Sequence, residues 1–439
     1  MAMLRETEAP EATGGRAPNQ AHPATGGEVE LTAPPQPAPQ TGVDVPEART
    51  TAYAQITGWG MYVPSQVVPN EEFVKLGLDT SDEWISSRTG VNQRHLVRDE
   101  STSDMAVRAG VEALHVAGIH AQDLDIVLVA TCTPDHIMPA TASLVQDRLG
   151  ARNAGAMDVN AACSGFVYAL TTGASFIESG RAKKVLVIGA DELSIHLNWA
   201  DRSTCVLFGD GAGAVVLEKS GEAGIMSSDI GSDGSGAGLL MIPAGSRNRH
   251  NENYARNGSG HNKGQKNAAK PVSGNYYLQM NGPQIFRWAT QMMAKASEKV
   301  MTDSGLTAAD VDLYIPHQAN YRIMEVTAKR LGLPMEKVFS NVQDYGNTSA
   351  ASIPIALYDA ISAGRVNKGD DIILTSFGAG LSWAAVALRW GVELPLHTTR
   401  WQPIRREVDR RVAALRSVLR REQWRVRGEL DKRLHREEE

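Results

Sequence analysis

An internal repeat constrains the fold of this chain more than any other feature of its sequence. Segments 117–126 and 304–313 both carry a glycine between a small and an aliphatic residue and then an Asp-aliphatic-Asp-aliphatic run, at an offset of 187 (305 − 118 = 187). The same offset superposes two further pairs of segments: 185–187 on 372–374, and 160–163 on 347–350. One offset that serves three separated segments indicates two duplicated halves.

The segments between these matches are typical of an α/β protein. Helical patterns alternate with short runs of Val, Ile and Leu, which are typical of buried strands; these runs are Ile126 to Ala130, Val185 to Gly189 and Ile372 to Leu374. We therefore expect an N-terminal α/β half over residues 51–220 and a C-terminal α/β half over residues 221–395.

Both ends of the chain differ in composition from these halves. Residues 1–50 hold eight of the 20 prolines and no aromatic residue, which predicts a disordered arm because little apolar surface is available for burial. Residues 396–439 are rich in arginine, and apolar residues spaced by threes and fours predict a basic amphipathic helix there. That helix could pair with the same helix of a second copy, with an acidic partner or with a membrane surface, or remain a solvated helix. A polar segment, 245–274, predicts a long loop within the second half.

The composition excludes several classes of protein. No apolar run reaches the roughly 18 to 20 residues of a membrane-spanning helix, and no N-terminal segment has the pattern of a secretory signal, so we expect a cytoplasmic protein. The net charge of −6 gives no indication of nucleic-acid binding. Three widely spaced cysteines are typical of reduced thiols rather than of a disulfide framework.

Cys163 is the strongest candidate nucleophile. It lies in the segment 160–166, where a strand-like run passes into an apolar helical pattern, so we expect its thiol at the N-terminus of a buried helix. There the helix dipole and the unpaired backbone amides stabilise a thiolate. A cysteine taken by itself is more often a small buried hydrophobe, and Cys132 and Cys205 keep that interpretation.

The repeat supports two further residues as candidates for the same site. His317 follows the apolar run 313–316 and matches Ala130, at a strand end of the kind where ligands bind in α/β sheets. Asn347 lies in the repeat of the cysteine segment, so the duplication should bring it close to Cys163. Taken alone, His317 is more simply a structural histidine, and Asn347 is equally well a turn residue. Together the three positions predict a nucleophile, a base or donor, and a neutral amide.

The remaining motifs do not indicate a cofactor or a metal. The glycines of segment 208–215 alternate but lack the spacing that opens a dinucleotide-binding helix, and the segment runs into a strand pattern instead of leaving one. The 11 histidines form no cluster with cysteine or carboxylate at zinc-ligand spacing. We therefore expect neither a nucleotide site at this segment nor a bound metal ion.

A set of motifs between Tyr53 and Trp390 resembles the β-ketoacyl-acyl carrier protein synthase III enzymes, members of the thiolase superfamily that start fatty-acid chains. The motifs are TSDEWI at 80–85 with RTG at 88–90, AACSG at 161–165, DRST at 201–204, FGDGAG at 208–213, PHQAN at 316–320 and GNTSA at 346–350. The resemblance implies a homodimer with a thiolase-like α/β fold, in which two duplicated halves form five layers in the order α-β-α-β-α.

The resemblance implies a catalytic set of Cys163, His317 and Asn347, and no cofactor beyond the coenzyme A (CoA) thioester that serves as substrate. The Cys163 thiolate would attack an acyl-CoA, and the backbone amides of Cys163 and Ala379 would hold the oxyanion. His317 and Asn347 would then stabilise the enolate that forms as malonyl-acyl carrier protein loses carbon dioxide. The alternatives are an acyltransferase or non-decarboxylating condensing enzyme of the same fold, and a non-catalytic scaffold that docks carrier proteins.

The resemblance also implies how coenzyme A is bound. Trp84 would stack on the adenine, and Arg88 and Arg202 would lie near the phosphates. Asn320 would lie close to the pantetheine, and Phe286 would line the channel that leads to the thiol.

Two more positions concern partners. Arg322 matches a position that meets the acidic carrier protein. Met138 stands where many relatives have an aromatic residue that crosses the dimer and closes the acyl pocket. Because methionine is flexible, we expect this position to leave room for a longer or branched starter.

Overall fold

A computed structural model of the chain describes residues 52–243 and 276–394. The predicted arm (1–50), polar loop (245–274) and basic tail (396–439) lie outside the described residues. The boundaries given above for the two halves, 51–220 and 221–395, stay predictions.

Strands and helices alternate along the described ranges, as expected for an α/β protein. The strands are β1 (Tyr53–Tyr62), β2 (Gln66–Pro69), β3 (Gln93–Leu96), β4 (Ile126–Ala130), β5 (Gly155–Val159), β6 (Lys184–Asp191), β7 (Gly211–Ser220), β8 (Gly224–Ser232), β9 (Leu240–Met241), β10 (Gln279–Met280), β11 (Leu313–Pro316), β12 (Asp371–Gly378) and β13 (Ser382–Arg389). The helices are α1 (Asn70–Lys75), α2 (Asp82–Thr89), α3 (Thr102–Ala117), α4 (Thr141–Leu149), α5 (Gly165–Glu178), α6 (Gly282–Asp303), α7 (Tyr321–Leu331), α8 (Val342–Tyr345) and α9 (Ser352–Ser362).

Two mixed sheets form the centre of the fold. The first has the order β1-β7-β6-β4-β5, in which β4 is parallel to β5 and β6, and β7 is antiparallel to β1 and β6. The second has the order β11-β12-β13-β8, in which β11 and β12 are parallel and β13 is antiparallel to both of its neighbours. Where the first sheet has β5, the second has an isolated parallel bridge between Tyr314 and Val338.

The element bounds confirm the duplication. β6 and β12 begin and end 187 residues apart (371 − 184 and 378 − 191), and the same offset relates the starts of β4 and β11 (313 − 126) and of α5 and α9 (352 − 165). β1 with β8 and β7 with β13 begin only 171 residues apart (224 − 53 and 382 − 211). The connection from β12 to β13 is therefore shorter than its counterpart, so β12 turns directly back into β13.

Helices cover both faces of each sheet. α3 and α4 pack on the outside of the first sheet, and α6 packs on the outside of the second with α7 against it. α5 and α9 lie between the sheets, where each contacts strands of both. The layers therefore follow the predicted order α-β-α-β-α.

The two central helices position the candidate site. α5 and α9 are strongly apolar, and residues of both, such as Phe166, Leu170 and Leu357, belong to one buried core. A short 3₁₀ turn precedes each helix, Ala162–Ser164 before α5 and Ser349–Ala351 before α9, and the two turns contact each other. The N-termini of both central helices therefore meet at one place between the sheets.

Candidate active site

Cys163 lies where the two halves meet. It is carried by the 3₁₀ turn between β5 and α5, as the sequence predicts for a thiol at a helix N-terminus. Ala162 and Ser349 occupy equivalent positions in the two contacting turns, and both have a positive φ, 48° and 52°, which is uncommon for residues other than glycine. Cys163 is 8% exposed, so its thiol is almost fully enclosed by protein.

The hydroxyl of Ser349 is a close polar neighbour of the Cys163 thiol, at a distance of 3.4 Å between Oγ and Sγ. Burial raises the pKa of the Cys163 thiol to about 12, the Ser349 hydrogen bond opposes this increase, and the charge of Asp191 adds to it. The Cys132 Sγ atom lies 4.0 Å from the same hydroxyl. The Cys163 thiol is therefore protonated at neutral pH and must lose its proton as it attacks a substrate.

The hairpin between β12 and β13 packs against the turn that carries Cys163. A side chain at Gly378 would lie 2.9 Å from the Cys163 backbone nitrogen. The Ser382 hydroxyl lies 3.1 Å from the carbonyl oxygens of both Ala161 and Ala379 and can donate its one proton to either, which ties the two turns together. Glycine at position 378 therefore allows the two turns to approach this closely, next to the Cys163 N–H where an oxyanion is expected.

Asp191 occupies the equivalent position in the first half (378 − 191 = 187). Its Oδ2 accepts a hydrogen bond at 3.0 Å from the N–H of Ala350, the residue equivalent to Cys163. Its Oδ1 accepts three more hydrogen bonds, from Thr131 Oγ1 at 3.0 Å, Cys132 N at 2.8 Å and Thr133 Oγ1 at 3.0 Å. A carboxylate therefore accepts from the N–H of Ala350, whereas the equivalent position 378 has no side chain that could accept from the N–H of Cys163.

His317 follows the end of β11 and is fully buried. Its Nδ1 lies 2.6 Å from the Ser352 hydroxyl at the start of α9, and its ring packs edge-on against Phe377 at a centroid distance of 5.3 Å. Its Nε2 has no hydrogen-bond partner among the described residues. Burial lowers the pKa of His317 to about 3, so the imidazole is neutral at physiological pH.

Asn347 is held by its backbone and by its side chain. Its N–H donates to the Leu207 carbonyl at 2.8 Å, and its own carbonyl accepts from Gly209 N–H at 3.1 Å. Its Oδ1 accepts from Ser349 N–H at 2.9 Å. Because the side-chain oxygen is used in this way, the side-chain NH₂ group can donate to a ligand.

These contacts connect all three candidate catalytic residues to the segment 347–352, which leads into α9. Ser349 is bonded to Asn347 and lies against Cys163, and Ser352 lies against His317. Asn347 and Cys163, which the repeat predicts to lie close together, thus both contact Ser349. The two serines were not predicted, although their place in the repeat of the cysteine segment is a signal that could have identified them.

Trp84, Arg88 and Arg202 form a stacked group. The guanidinium carbons of Arg88 and Arg202 lie 4.8 and 4.9 Å from the centroid of the Trp84 ring, within the range of cation–π contacts. Arg202 also pairs with the Asp79 carboxylate at 2.9 Å. The residues expected to hold the adenine and phosphates of coenzyme A are thus next to one another.

Asn320 and Arg322 lie at the start of α7. The Asn320 Oδ1 accepts from Arg322 N–H at 2.9 Å and caps the helix, while its Nδ2 donates to the Arg88 carbonyl at 3.1 Å. The Asn320 side chain therefore ties α7 to α2. The Arg322 side chain is exposed on the first turn of the helix.

The other candidate residues have different surroundings. Phe286 is partly buried on α6, against the core of the second half, and Ala379 is partly buried in the β12–β13 turn. Met138 is 85% exposed and its neighbour Ile137 is 88% exposed. Within one chain, Met138 therefore closes no pocket.

Residues 52–243 and 276–394 contain no group of three or more His, Cys, Asp or Glu side chains that could hold a metal ion. Over the same ranges, no helix is long and apolar enough to cross a membrane. Cys132, Cys163 and Cys205 are free thiols.

An acyl group is the ligand that this arrangement suits. A thiol can bond to it covalently, and neutral N–H donors can hold the carbonyl oxygen that becomes negative during the transfer. In a duplicated five-layered α/β fold, such a site defines the class of thiolase-like enzymes that carry acyl groups on a cysteine.

Comparisons with known proteins narrow this class to one family. Residues 157–234 match the family model of 3-oxoacyl-[acyl-carrier-protein] synthase III, and residues 301–390 match the model of its C-terminal part. A β-ketoacyl-[acyl-carrier-protein] synthase III of Clostridium perfringens (strain SM101) is 48% identical over 340 residues, which cover 76% of this chain and 99% of that protein. The chain therefore belongs to the β-ketoacyl-acyl carrier protein synthase III family and is an acyltransferase of that type.

Solved structures agree with this assignment. The 3-oxoacyl-[acyl-carrier-protein] synthase III of Aquifex aeolicus VF5 is 43% identical and superposes with a TM-score of 0.69, covering 77% of this chain and all of that one (100%). The priming β-ketosynthase of the R1128 polyketide biosynthetic pathway is 36% identical with a TM-score of 0.70, covering 81% of this chain and 100% of that one. These similarities confirm the thiolase-like fold of two mixed sheets with helices.

Proposed function

We propose that the chain condenses an acyl-CoA with malonyl-acyl carrier protein, with loss of carbon dioxide, to give a β-ketoacyl-acyl carrier protein that starts a fatty acid or related acyl chain. The observation that carries the proposal is that the buried residues Cys163 and His317 contact the same segment, 347–352: Cys163 lies against Ser349, His317 lies against Ser352, and Asn347 begins the segment. The relative from Clostridium perfringens, named for such a synthase, supports it.

The first step loads the acyl group onto the enzyme. Cys163 Sγ attacks the acyl-CoA carbonyl carbon, and the N–H groups of Cys163 and Ala379 hold the resulting oxyanion. Collapse of this intermediate breaks the bond to the CoA sulfur, and the CoA thiolate takes up the proton that left Cys163. The N-terminus of α5 and the Ser349 hydroxyl favour negative charge on the attacking sulfur.

The second step forms the carbon–carbon bond. The malonyl thioester loses carbon dioxide, and the electron pair of the broken bond becomes an enolate whose oxygen accepts hydrogen bonds from His317 and Asn347. The enolate carbon attacks the acyl carbon on Cys163, the carbon–sulfur bond breaks, and the thiol is restored by uptake of a proton. Because His317 is neutral, it acts as a hydrogen-bond donor and not as a cation.

Coenzyme A is proposed to bind at the group formed by Trp84, Arg88 and Arg202. The adenine would insert between the Trp84 ring and the Arg202 guanidinium, since both are flat groups suited to stacking. That insertion would release Arg202 from its present contact with Trp84. Arg88, which is exposed beside the same ring, would pair with a phosphate.

The carrier protein is proposed to dock on α7. The helix carries Arg322 in its first turn and Lys329 and Arg330 in its last turn, against one acidic residue, Glu325. An acidic carrier would be drawn to this positive face and oriented by it. α7 begins four residues after His317 (321 − 317 = 4), so a carrier bound there would hold its thioester near the site.

We also infer a homodimer that forms through β5. This strand is at the edge of the first sheet, and an edge strand has unpaired N–H and C=O groups that favour pairing with another strand. Met157 on β5, and Ile137 and Met138 in the loop that follows β4, are exposed apolar residues. Pairing of β5 with the same strand of a second copy would cover them and would bring Met138 of one subunit to the acyl pocket of the other.

Carbon dioxide release from malonyl-carrier protein tests the proposed reaction. With acyl-CoA present, we expect carbon dioxide and β-ketoacyl product in equal amounts. Without the malonyl substrate, intact-mass measurement should show one acyl group on Cys163, and Cys163→Ala should remove it. Acyl transfer without carbon dioxide release would instead identify the acyltransferase or non-decarboxylating alternative. Condensation by the Cys163→Ala protein would overturn the proposal.

A further inference from the structure

A second pair of contacting positions beside the site differs between the duplicated halves. His317 and Ser352 in the second half correspond to Ala130 and Gly165 in the first (317 − 130 = 187 and 352 − 165 = 187). Both pairs are in contact: Ser352 Oγ lies 2.6 Å from His317 Nδ1, and a side chain at Gly165 would lie 3.2 Å from the Ala130 Cβ. The contact therefore belongs to the duplicated fold, but the second half fills it with a hydroxyl and an imidazole.

The hydrogen bonds of Ser352 decide which nitrogen of His317 carries the proton. Within the described residues, Ser352 Oγ has two partners, the Nδ1 of His317 and, at 3.4 Å, the backbone N–H of Gln318. The Gln318 N–H can only donate. If Nδ1 carried a proton, both partners of Ser352 would be donors. The buried hydroxyl proton of Ser352 would then have no acceptor, which is unfavourable.

We propose that Ser352 is a positioning residue whose hydroxyl donates to Nδ1 of His317 and so holds the imidazole in the tautomer with its proton on Nε2. Nε2 is the ring nitrogen that has no partner among the residues the structure describes, so the tautomer gives the site an N–H donor that those residues do not use. The role of this donor rests on the proposed function, in which it meets the thioester oxygen of the malonyl group.

The tautomer matters because a neutral imidazole has one N–H to offer. With the proton on Nε2, the ring donates to the enolate oxygen as negative charge develops there. With the proton on Nδ1, the ring would turn a lone pair toward that oxygen and repel it. Ser352 therefore acts through His317 and has no need to touch the substrate itself.

Nitrogen NMR of protein labelled with ¹⁵N-histidine tests the tautomer directly, because protonated and unprotonated ring nitrogens have well-separated shifts. The His317 signals are identified by their loss in His317→Ala. We expect the proton on Nε2 in the native protein and in Ser352→Thr, which keeps the hydroxyl, and a raised Nδ1–H population in Ser352→Ala. A native protein with the proton on Nδ1, or an unchanged ratio in Ser352→Ala, would overturn the proposal.

Kinetics test what the tautomer does. In a Cys163→Ala background, where acylation cannot limit the rate, Ser352→Ala should slow carbon dioxide release from malonyl-carrier protein by roughly 10- to 100-fold, as for the loss of a supporting hydrogen bond. Ser352→Thr should restore most of the rate. Ser362→Ala, a change of the same type at the exposed end of α9, should have no effect.

The two proposals fail separately in these experiments. Equal losses in Ser352→Ala and Ser352→Thr would show a packing defect and contradict the tautomer role. Undiminished carbon dioxide release by His317→Ala would contradict the proposed function of the histidine, while the NMR result on the tautomer would stand by itself.

Discussion

Two opposed effects govern the reactivity of Cys163 at the scale of the residue. Removal of the thiol from water disfavours the thiolate, and the Ser349 hydroxyl favours it. The backbone N–H of Ser349 also donates to Asn347, so one residue connects the groups proposed for acylation with those proposed for condensation. Because that hydrogen bond is made by the backbone, loss of the hydroxyl should affect the Cys163 sulfur first.

We predict that Ser349→Ala raises the pKa of the Cys163 thiol further. At each pH below that pKa, the variant then has a smaller thiolate fraction than the native protein, and alkylation of its Cys163 by iodoacetamide is slower. A hydrogen bond to a charged group contributes about 1.5–3 kcal/mol, which corresponds to a loss of roughly 10- to 100-fold in rate. Alkylation as a function of pH, followed by intact mass, measures the displacement.

The backbone at position 349 should accept this substitution. Ala162, at the equivalent position of the first half, already has a positive φ of 48°. Ser175→Ala, which removes an exposed hydroxyl that bonds within α5, is a matched control and should leave alkylation unchanged. Equal alkylation rates in Ser349→Ala and the native protein would rule out the role given to this hydroxyl.

The individual elements show how far the sequence alone could predict the site. The offset of 187 predicted that β6 repeats as β12 and that Asn347 approaches Cys163, because duplicated segments keep their register in the fold. The pairing of Ser352 with His317 was not predicted, because it depends on rotamers and on the distance between α9 and β11. The contrast between Asp191 and Gly378 was likewise not predicted, although the offset of 187 relates the two positions, because the partners of each depend on how the turns pack in three dimensions.

The end of β12 is where a small change should have a large effect. We predict that Gly378→Ala lowers kcat/KM for acyl-CoA by about 100-fold or more, the usual cost of losing an oxyanion donor. The reason is that the added carbon would lie 2.9 Å from the Cys163 nitrogen and obstruct the oxyanion. Steady-state kinetics measures the loss, and thermal unfolding shows whether the fold is kept.

Gly221→Ala is the matched control for this substitution. It places the same methyl group in the β7–β8 turn, where no atom lies within 4 Å. Its kcat/KM should stay within about twofold of the native value, because surface changes of this kind have little effect. A Gly378→Ala enzyme with native kcat/KM would remove the oxyanion position from the mechanism.

Asp191 at the end of β6 stabilises the fold, whereas Gly378 at the equivalent end of β12 has no side chain. We predict that Asp191→Asn lowers the free energy of unfolding by about 2–3 kcal/mol, because its new NH₂ group would face a buried donor. That donor is the N–H of Ala350, from which Asp191 Oδ2 accepts a hydrogen bond at 3.0 Å in the native protein. Urea denaturation measures the change. Asp233→Asn, at an exposed cap, should cost less than about 0.5 kcal/mol, and equal losses in both variants would contradict this account.

At the scale of the whole molecule, β5 is an edge strand of the first sheet: it pairs with β4 on one side, has no strand partner on the other within the described residues, and has exposed apolar residues beside it. We predict a dimer in sedimentation velocity and a dissociation constant raised by about 100-fold or more in Met157→Lys, because the substitution buries an unpaired charge. Ile230→Lys makes the same change on β8, an edge strand of the second sheet, and should remain dimeric. A native monomer, or a dimer unaffected by Met157→Lys, would place the interface elsewhere.

The starter preference should depend on this assembly, because Met138 is 85% exposed in a single chain and can close an acyl pocket only across a dimer. We predict that Met138→Phe lowers kcat/KM for an octanoyl starter by about tenfold relative to acetyl. The flexible methionine can move aside for a long acyl chain, whereas a stiff aromatic ring cannot, and overpacking costs about 1–3 kcal/mol. Competition between the two CoA thioesters measures the ratio. Ile137→Phe, at the adjacent exposed position, should leave it unchanged. A ratio that responds equally to both substitutions would exclude Met138 as the residue that sets acyl length.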